Sequence, residues 1–405
     1  MKPVVLFVDD EPHLLHGLRR NLRSMRDRWD MHFAEGGREA LVRTDQGRID
    51  VIISDMRMPG MDGAELLSAI ADRQPRTIRF VLSGQTEESD AFRLIGISHQ
   101  FHSKPCETET LIAAIDRTLQ FRDAVSDETL QTRVSSLQRL PCSQANFDAL
   151  IAETGVSDPS AERLAAIVAS DMALAARFLQ IAGSGYFGVG DFEPTFTQAI
   201  GMLGVERIAR IASNEDMFLR LPSSESGGGR LDRLVQHGVV CSQAARAVAV
   251  AAESDPESIE AATVAGLLHD IGYLALSDGS DRASDGSDIG GYGQERRSLG
   301  SERSEYGSDH AAVGAYLAAL WGLSEAVVKA IAHHHAPSAY AGRPFAALTA
   351  VHAAECIIEA RFRPAENRSA VDRMDRDYLA AAGVQDRVAG WVSQLSTSRF
   401  AEQAP

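Results

Sequence analysis

Several things are scarce in this sequence, and each scarcity removes a class of protein. There are four cysteines in 405 residues, Cys106, Cys142, Cys241 and Cys356, widely scattered and without a Cys-x-x-Cys pair. That pattern argues against a disulfide framework or a zinc knuckle and for a reducing compartment. Positive charge is also short: 40 Lys and Arg stand against 56 Asp and Glu, a net charge of −16. An acidic surface repels the phosphate backbone, and no Lys/Arg cluster relieves it, so DNA binding is not expected. The opening apolar run turns acidic at Asp9, too soon for a secretion signal, and no uninterrupted apolar stretch is long enough to cross a bilayer. The expectation is a cytoplasmic protein with no membrane contact. Its length allows two or three domains.

What is present divides at about residue 121. Up to there, short apolar runs alternate with amphipathic segments. Strands are expected at Val4 to Val8, Met31 to Ala34, Val51 to Ser54, Ile78 to Leu82 and Gln100 to His102. Between and after them come helical patterns at Pro12 to Met25, Arg38 to Asp45, Ala64 to Asp72, Glu88 to Leu94 and Glu109 to Gln120. This alternation predicts a five-stranded parallel sheet wound on both faces, with its chemistry beyond the carboxyl ends of the strands. Asp9, Asp10 and Glu11 follow the first strand, Asp55 the third, Ser83 the fourth, and Lys104-Pro105 the fifth. Crowded carboxylates need a cation, and an all-oxygen set suits Mg²⁺. An Asp beside Mg²⁺ can attack phosphorus, while lysine and metal neutralise the spreading charge.

These residues, with the loop Asp55-Met56-Arg57-Met58-Pro59-Gly60-Met61-Asp62-Gly63, resemble the flavodoxin-like receiver domain of bacterial response regulators over the whole of residues 1–121. The resemblance implies Asp55 as phosphoacceptor. It implies Asp9, Asp10, Asp55 and the Arg57 carbonyl as Mg²⁺ ligands, with Ser83, Phe101 and Lys104 as switch residues. His13, His16, His32, His99 and His102 are expected at the surface or in packing, since no second partner set accompanies them.

Residues 122–136 read as a helical linker. Beyond it the pattern is helical only, in a first part over 137–225 and a second over 226–400. A helix is expected to start at Asp158-Pro159, and a helical pair to hinge at Gly204. Seven of the twelve histidines lie at or beyond His237. Imidazoles with carboxylates form the ligand set of Fe, Mn or Zn, and an adjacent His269-Asp270 can serve two metals through a bridging carboxylate. The phrases Asp171 to Leu179 and Ala199 to Gly204 resemble HDOD domains, which are related to HD phosphohydrolases. That resemblance implies an all-α output domain. It also places His237, His269, Asp270, His310, His334 and His335 at metal-ligand positions, with Glu355 where an Asp is usual. His333 and His352 fall outside this set and are expected to support or pack.

The departures from catalytic relatives matter. Cyclic di-GMP phosphodiesterases of the HD-GYP branch carry a Lys where Tyr273 stands, and their Gly-Tyr-Pro should follow the paired histidines, where Ala336-Pro337-Ser338 is found. Arg233 sits where a further acidic ligand would be. Residues 277–309, rich in Ser, Gly and Asp, are expected to be a flexible insertion. The implied function is a two-component response regulator, phosphorylated by a sensor histidine kinase. Its HDOD half would bind an unidentified protein partner or a nucleotide, as a monomer or a homodimer. The alternative is a metal-dependent phosphohydrolase or cyclic-dinucleotide phosphodiesterase under receiver control.

Overall fold

A computed structural model describes residues 2–84, 92–183, 195–214, 217–222, 229–276, 298–340, 346–362 and 369–396. Strands β1 (Val4–Val8), β2 (Asp30–Ala34), β3 (Val51–Ser54), β4 (Ile78–Ser83) and β5 (Gln100–Ser103) form one parallel sheet in the order β2-β1-β3-β4-β5. The β-branched run of β1 lies at an interior position, and period-2 alternation sends Val5 and Phe7 into one core and Leu6 and Val8 into another. Register decides the chemistry. Val8 pairs with Ser54, so the next residues, Asp9 and Asp55, emerge side by side. Ser83 pairs with Ser103, and Lys104 leaves the sheet one residue later.

Local signals set the helices. Asp62 caps helix Gly63–Arg73 in a reciprocal box with Glu65, and Leu66, Leu67 and Ile70 turn inward. Gly63 is required there, since a Cβ would collide with the Asp55 carbonyl. Of the expected helix Glu88 to Leu94, Phe92 to Leu94 are described and helical, and the rest lies outside the described residues.

Helix Thr108–Ala124 runs past the expected boundary, breaks at Val125, and is followed by helix Glu128–Ser135. This stretch is no exposed rod. Val125, Gln131, Val134 and Ser135 are buried. The first core continues without a break from Ile115 and Leu119 through Val134 into Val313, Leu317 and Leu320. Each such fully buried Leu or Val contributes about 1.5–3 kcal/mol.

Three expectations for the second half need correction. It is mostly but not wholly helical: β6 (Leu140–Ser143) and β7 (Phe218–Leu221) pair in parallel, strands of four residues too short for a periodicity to reveal, one of them holding Pro141. The helix expected from Asp158-Pro159 is capped instead by Ser160, which accepts from the Arg163 amide at 3.3 Å, and spans Ala161–Val168. The insertion 277–309 is not irregular throughout. Residues 277–297 lie outside the described residues, but helix Leu299–Tyr306 follows, with its Glu302 wholly buried. The hinge at Gly204 is present, with φ 72° and ψ 160° inside Phe196–Ala212. The stretch Pro256–Leu276 is apolar and long enough to cross a membrane by length and composition alone, yet 83% of its apolar window is buried in the helical core.

Candidate functional site

The first candidate site lies at the carboxyl edge of the sheet. Lys104 Nζ donates to Asp9 Oδ2 at 2.7 Å and also contacts Asp55 Oδ1. The other Asp55 oxygen accepts from the Arg57 amide at 2.7 Å, and Asp9 Oδ1 accepts from the Glu11 amide at 2.9 Å. Asp9 and Asp55 are 4% and 8% exposed, and Asp10 is half-buried at the rim. Burial pushes the Asp55 carboxyl above its ordinary value and Asp9 adds to this, while Lys104 opposes it. Burial works against the Lys104 ammonium, but its two carboxylates hold it above its usual range. Phe101 is buried among Leu66, Val81 and Leu94. Ser83 ends β4, level with Ser103.

The second candidate site is assembled from five helices and the turns that end two of them. Helix Arg230–Ala251 supplies His237. His269 and Asp270 close helix Pro256–Leu268, His310 opens His310–Leu320, His334 and His335 follow Glu325–His333, and Glu355 stands in Ala347–Phe362. All seven side chains meet. The Asp270 carboxylate lies between two groups: Oδ2 is 3.6 Å from His237 Nε2 and 3.3 Å from His269 Nε2, while Oδ1 is 3.2 Å from His310 Nε2 and 3.9 Å from His334 Nε2. Glu355 Oε2 joins the first group, 3.0 Å from His237 Nε2 and 3.4 Å from His269 Nε2. His335 Nε2 joins the second, 3.0 Å from His310 Nε2.

The imidazole tautomers are set from behind. His269 Nδ1 donates to the Gly266 carbonyl and His334 Nδ1 to the Ile331 carbonyl, each at 2.8 Å. Each ring therefore turns Nε2 inward, and both Nε2 atoms are buried with no hydrogen-bond partner. The His334 Nε2 is then a lone pair, while the His269 Nε2 faces the Asp270 and Glu355 oxygens with a proton that a cation would replace, a donor set that fits a cation. Burial works against a charged His269, but Asp270 and Glu355 outweigh it and hold its pKa at about 10. Burial keeps His334 well below its ordinary value, uncharged and available as a ligand.

Three side chains here carry roles that sequence reasoning missed. Cys241 Sγ lies 3.1 Å from Glu355 Oε2 and 3.6 Å from His237 Nε2. Its four-residue spacing from His237 on one helix was the available signal. Glu302 accepts from the His310 amide at 2.9 Å and from His310 Nδ1 at 2.7 Å. Its helix is bracketed by the Ser298 cap and Gly307 at φ 75°, a legible start and stop inside a segment dismissed on composition. Tyr273, noted only as the loss of a Lys, donates to Glu302 Oε1 at 2.7 Å and stacks on His310 with ring centroids 4.3 Å apart. His352 receives the Asp375 amide at 2.9 Å on Nε2 and donates from Nδ1 to the His334 carbonyl at 2.7 Å, so it steadies the His334 backbone and does not join the cluster. His333 stacks on Tyr340. His99 is buried and bonded to the Arg79 amide and the Ser135 carbonyl, a packing role.

Fold and sites together define a receiver-type α/β domain joined to an HD-type helical domain. Residues 5–116 match the response regulator receiver domain family and residues 140–337 match the HDOD domain family. The chain is thus a response regulator receiver domain followed by an HDOD domain. The transcriptional regulatory protein GlrR of Escherichia coli (strain K12) is 30% identical over 157 residues, covering 38% of this chain and 34% of GlrR. The hydrogenase transcriptional regulatory protein HoxA of Cupriavidus necator is 28% identical over 165 residues, covering 37% of this chain and 34% of HoxA. The match spans about a third of the length of these relatives. A crystal structure of the signal receiver domain of an HD domain-containing protein from Pseudomonas fluorescens Pf-5 is 29% identical, covers 30% of this chain and 96% of its own, and has a TM-score of 0.28.

Proposed function

We propose that this chain is a cytoplasmic two-component response regulator in which a sensor histidine kinase phosphorylates Asp55 and the receiver controls a regulatory, partner-binding HDOD half. The observation that carries the reading is the pairing of Asp9 and Asp55 through Lys104 at the open edge of the sheet. An Asp55 oxygen forms the new bond to phosphorus as the phosphorus–nitrogen bond of a phosphohistidine breaks and the imidazole departs. The Arg57 amide orients the nucleophile, and Lys104 stays to meet the charge on the phosphoryl oxygens. Asp9, Asp10, Asp55 and the Arg57 carbonyl would hold Mg²⁺, which supplies further neutralisation of that charge.

The route outward runs through β5 and helix Thr108–Ala124. Gln100, next to Phe101 but on the opposite face of β5, donates to the Ala319 carbonyl at 2.8 Å, and Thr118 Oγ1 lies 3.2 Å from the same carbonyl. Ser126 donates to the Gly307 carbonyl at 2.7 Å. Both ends of the segment carrying His310 are therefore held by the receiver side. Rotation of Phe101 after phosphorylation would loosen the Gln100 end, a two-state coupling that biases the HDOD half.

In that half His237, His269, Asp270 and Glu355 would hold one cation, and Asp270, His310, His334 and His335 a second, drawn from Fe, Mn or Zn. Such cations polarise phosphoryl oxygens when bound. Phosphodiester hydrolysis is the weaker reading, because Tyr273 replaces the lysine of catalytic relatives and the Gly-Tyr-Pro phrase is missing. Acetyl phosphate with Mg²⁺ should label the wild-type chain on one aspartate and leave Asp55→Ala unlabelled. Equal labelling of the two proteins would refute the assignment.

A further inference from the structure

We infer that Cys241 is a thiolate ligand of the cation held by His237, His269 and Glu355, and that this half of the cluster takes a thiophilic metal such as Zn²⁺. The inference rests on the reading that the cluster binds a cation, and it adds a donor that no resemblance supplied.

Geometry comes first. The ligand atoms of His237, Cys241, His269 and Glu355 all lie within 4.8 Å of one another. In a tetrahedral site with bonds near 2.0–2.3 Å, ligand atoms stand about 3.3–3.8 Å apart. The separations here are 3.6 Å from Cys241 to His237, 3.1 Å from Cys241 to Glu355, 3.0 Å from His237 to Glu355 and 3.4 Å from His269 to Glu355. Small outward shifts of the Glu355 arm bring the shorter ones into range. Position follows from helix geometry, since His237 and Cys241 are one turn apart on Arg230–Ala251 and present their donors to the same space. The second, independent observation is His269, whose ring is 0% exposed and whose Nε2, without a hydrogen-bond partner, is turned into this group.

Chemistry then selects the metal. Hard, oxygen-seeking ions gain little from sulfur, whereas a thiolate with two imidazoles and a carboxylate suits Zn²⁺. On binding, the Cys241 S–H bond breaks, the sulfur–metal bond forms, and the proton passes to water. The other group, with Asp270 and three imidazoles, contains no sulfur. The two halves of one cluster would thus differ in softness and could hold unlike metals.

Cobalt(II) is the probe. The full chain, stripped by chelation and loaded with Co²⁺ alone, should show a thiolate-to-cobalt charge-transfer band in the near ultraviolet beside its d–d bands. Cys241→Ser should lose the charge-transfer band while keeping bound Co²⁺. Cys356→Ser should keep it, because that sulfur lies against His352 outside the group. The wild-type spectrum is decisive even if the serine variant fails to fold, which far-ultraviolet circular dichroism would reveal. Bound Co²⁺ with d–d bands but no charge-transfer band overturns the thiolate and leaves the cation reading standing. A band that survives in Cys241→Ser does the same. Failure of the wild-type chain to bind Co²⁺ overturns both.

Discussion

The receiver pocket and the helical cluster both bury acidic side chains, and they compensate the charge from different sources. At the sheet edge, Asp9 and Asp55 are answered by an ammonium from their own chain, Lys104. In the helical half, Asp270 and Glu355 are answered by imidazoles and a thiol, groups that offer lone pairs as readily as protons. A pocket with a built-in cation is ready to receive a dianionic phosphoryl group and release it again. A pocket of converging lone pairs is completed by a proton or by a metal. The same chain therefore holds one site suited to a transient charge and one suited to a resident cation.

Internal compensation has a cost when broken, and the receiver offers the severest test. Asp50, just before β3, pairs at 2.8 Å with Arg122 near the end of helix Thr108–Ala124, and both are 4% exposed at the side chain. Asp50→Ala should remove the buried partner of Arg122, leaving it only the exposed Asp123 carboxylate at 2.8 Å, and destabilise the fold by about 3 kcal/mol in chemical denaturation. Burial opposes the Asp50 charge, but the Val4 amide, Arg48 and Arg122 more than offset it and hold its pKa below the ordinary value. Its contribution is therefore complete above the unfolded value near pH 4 and declines as pH falls through the depressed folded value. Asp50→Ala should lose this part of the acid sensitivity. An unchanged midpoint would show that the pair is not compensating at all.

In the helical cluster, where a cation would complete the charge balance, metal affinity is the quantity to test. Glu302→Gln removes the negative charge behind His310 while preserving shape, and should lower affinity for the second cation by about 10–100-fold in a chelator competition. No change would mean that Glu302 serves only to pin the His310 amide. The smallest effect is expected where the two regions meet. Gln100→Ala deletes the bond to the Ala319 carbonyl and should cost about 1 kcal/mol in stability. It should also reduce the difference in amide exchange over 310–320 between phosphorylated and unphosphorylated protein. An undiminished difference would move the coupling elsewhere.

Most of the receiver could be read in advance because Asp9, Asp10, Asp55 and Lys104 each follow a strand and Ser83 ends one, and strands in a parallel sheet end at one edge. Asp9 and Asp55 needed only correct strand ends to become neighbours. The helical half was legible as a list of ligands and less so as a shape. His237 and Glu355 are more than a hundred positions apart, and only packing of Arg230–Ala251 against Ala347–Phe362 brings them to 3.0 Å. Cys241 and Glu302 escaped notice for different reasons. The cysteine was read through the missing Cys-x-x-Cys pattern and not against a histidine one turn away. The glutamate lay in a segment judged by composition, although its helix carries its own caps. Strands β6 and β7 left no periodic signal in four residues each, and they pair across more than seventy positions.

The order of elements and the receiver's acidic edge were determined by the sequence alone, because periodicity and spacing act locally and a parallel sheet gathers its strand ends, and the resemblance to HDOD domains named seven of the helical donors. Tertiary structure decided which donors face each other, that Asp270 lies between two groups, and that Gln100 and Thr118 reach the Ala319 carbonyl about two hundred residues away. Those outcomes depend on how helices pack around a shared core, and packing answers to volume and register across distant segments, which no local pattern records.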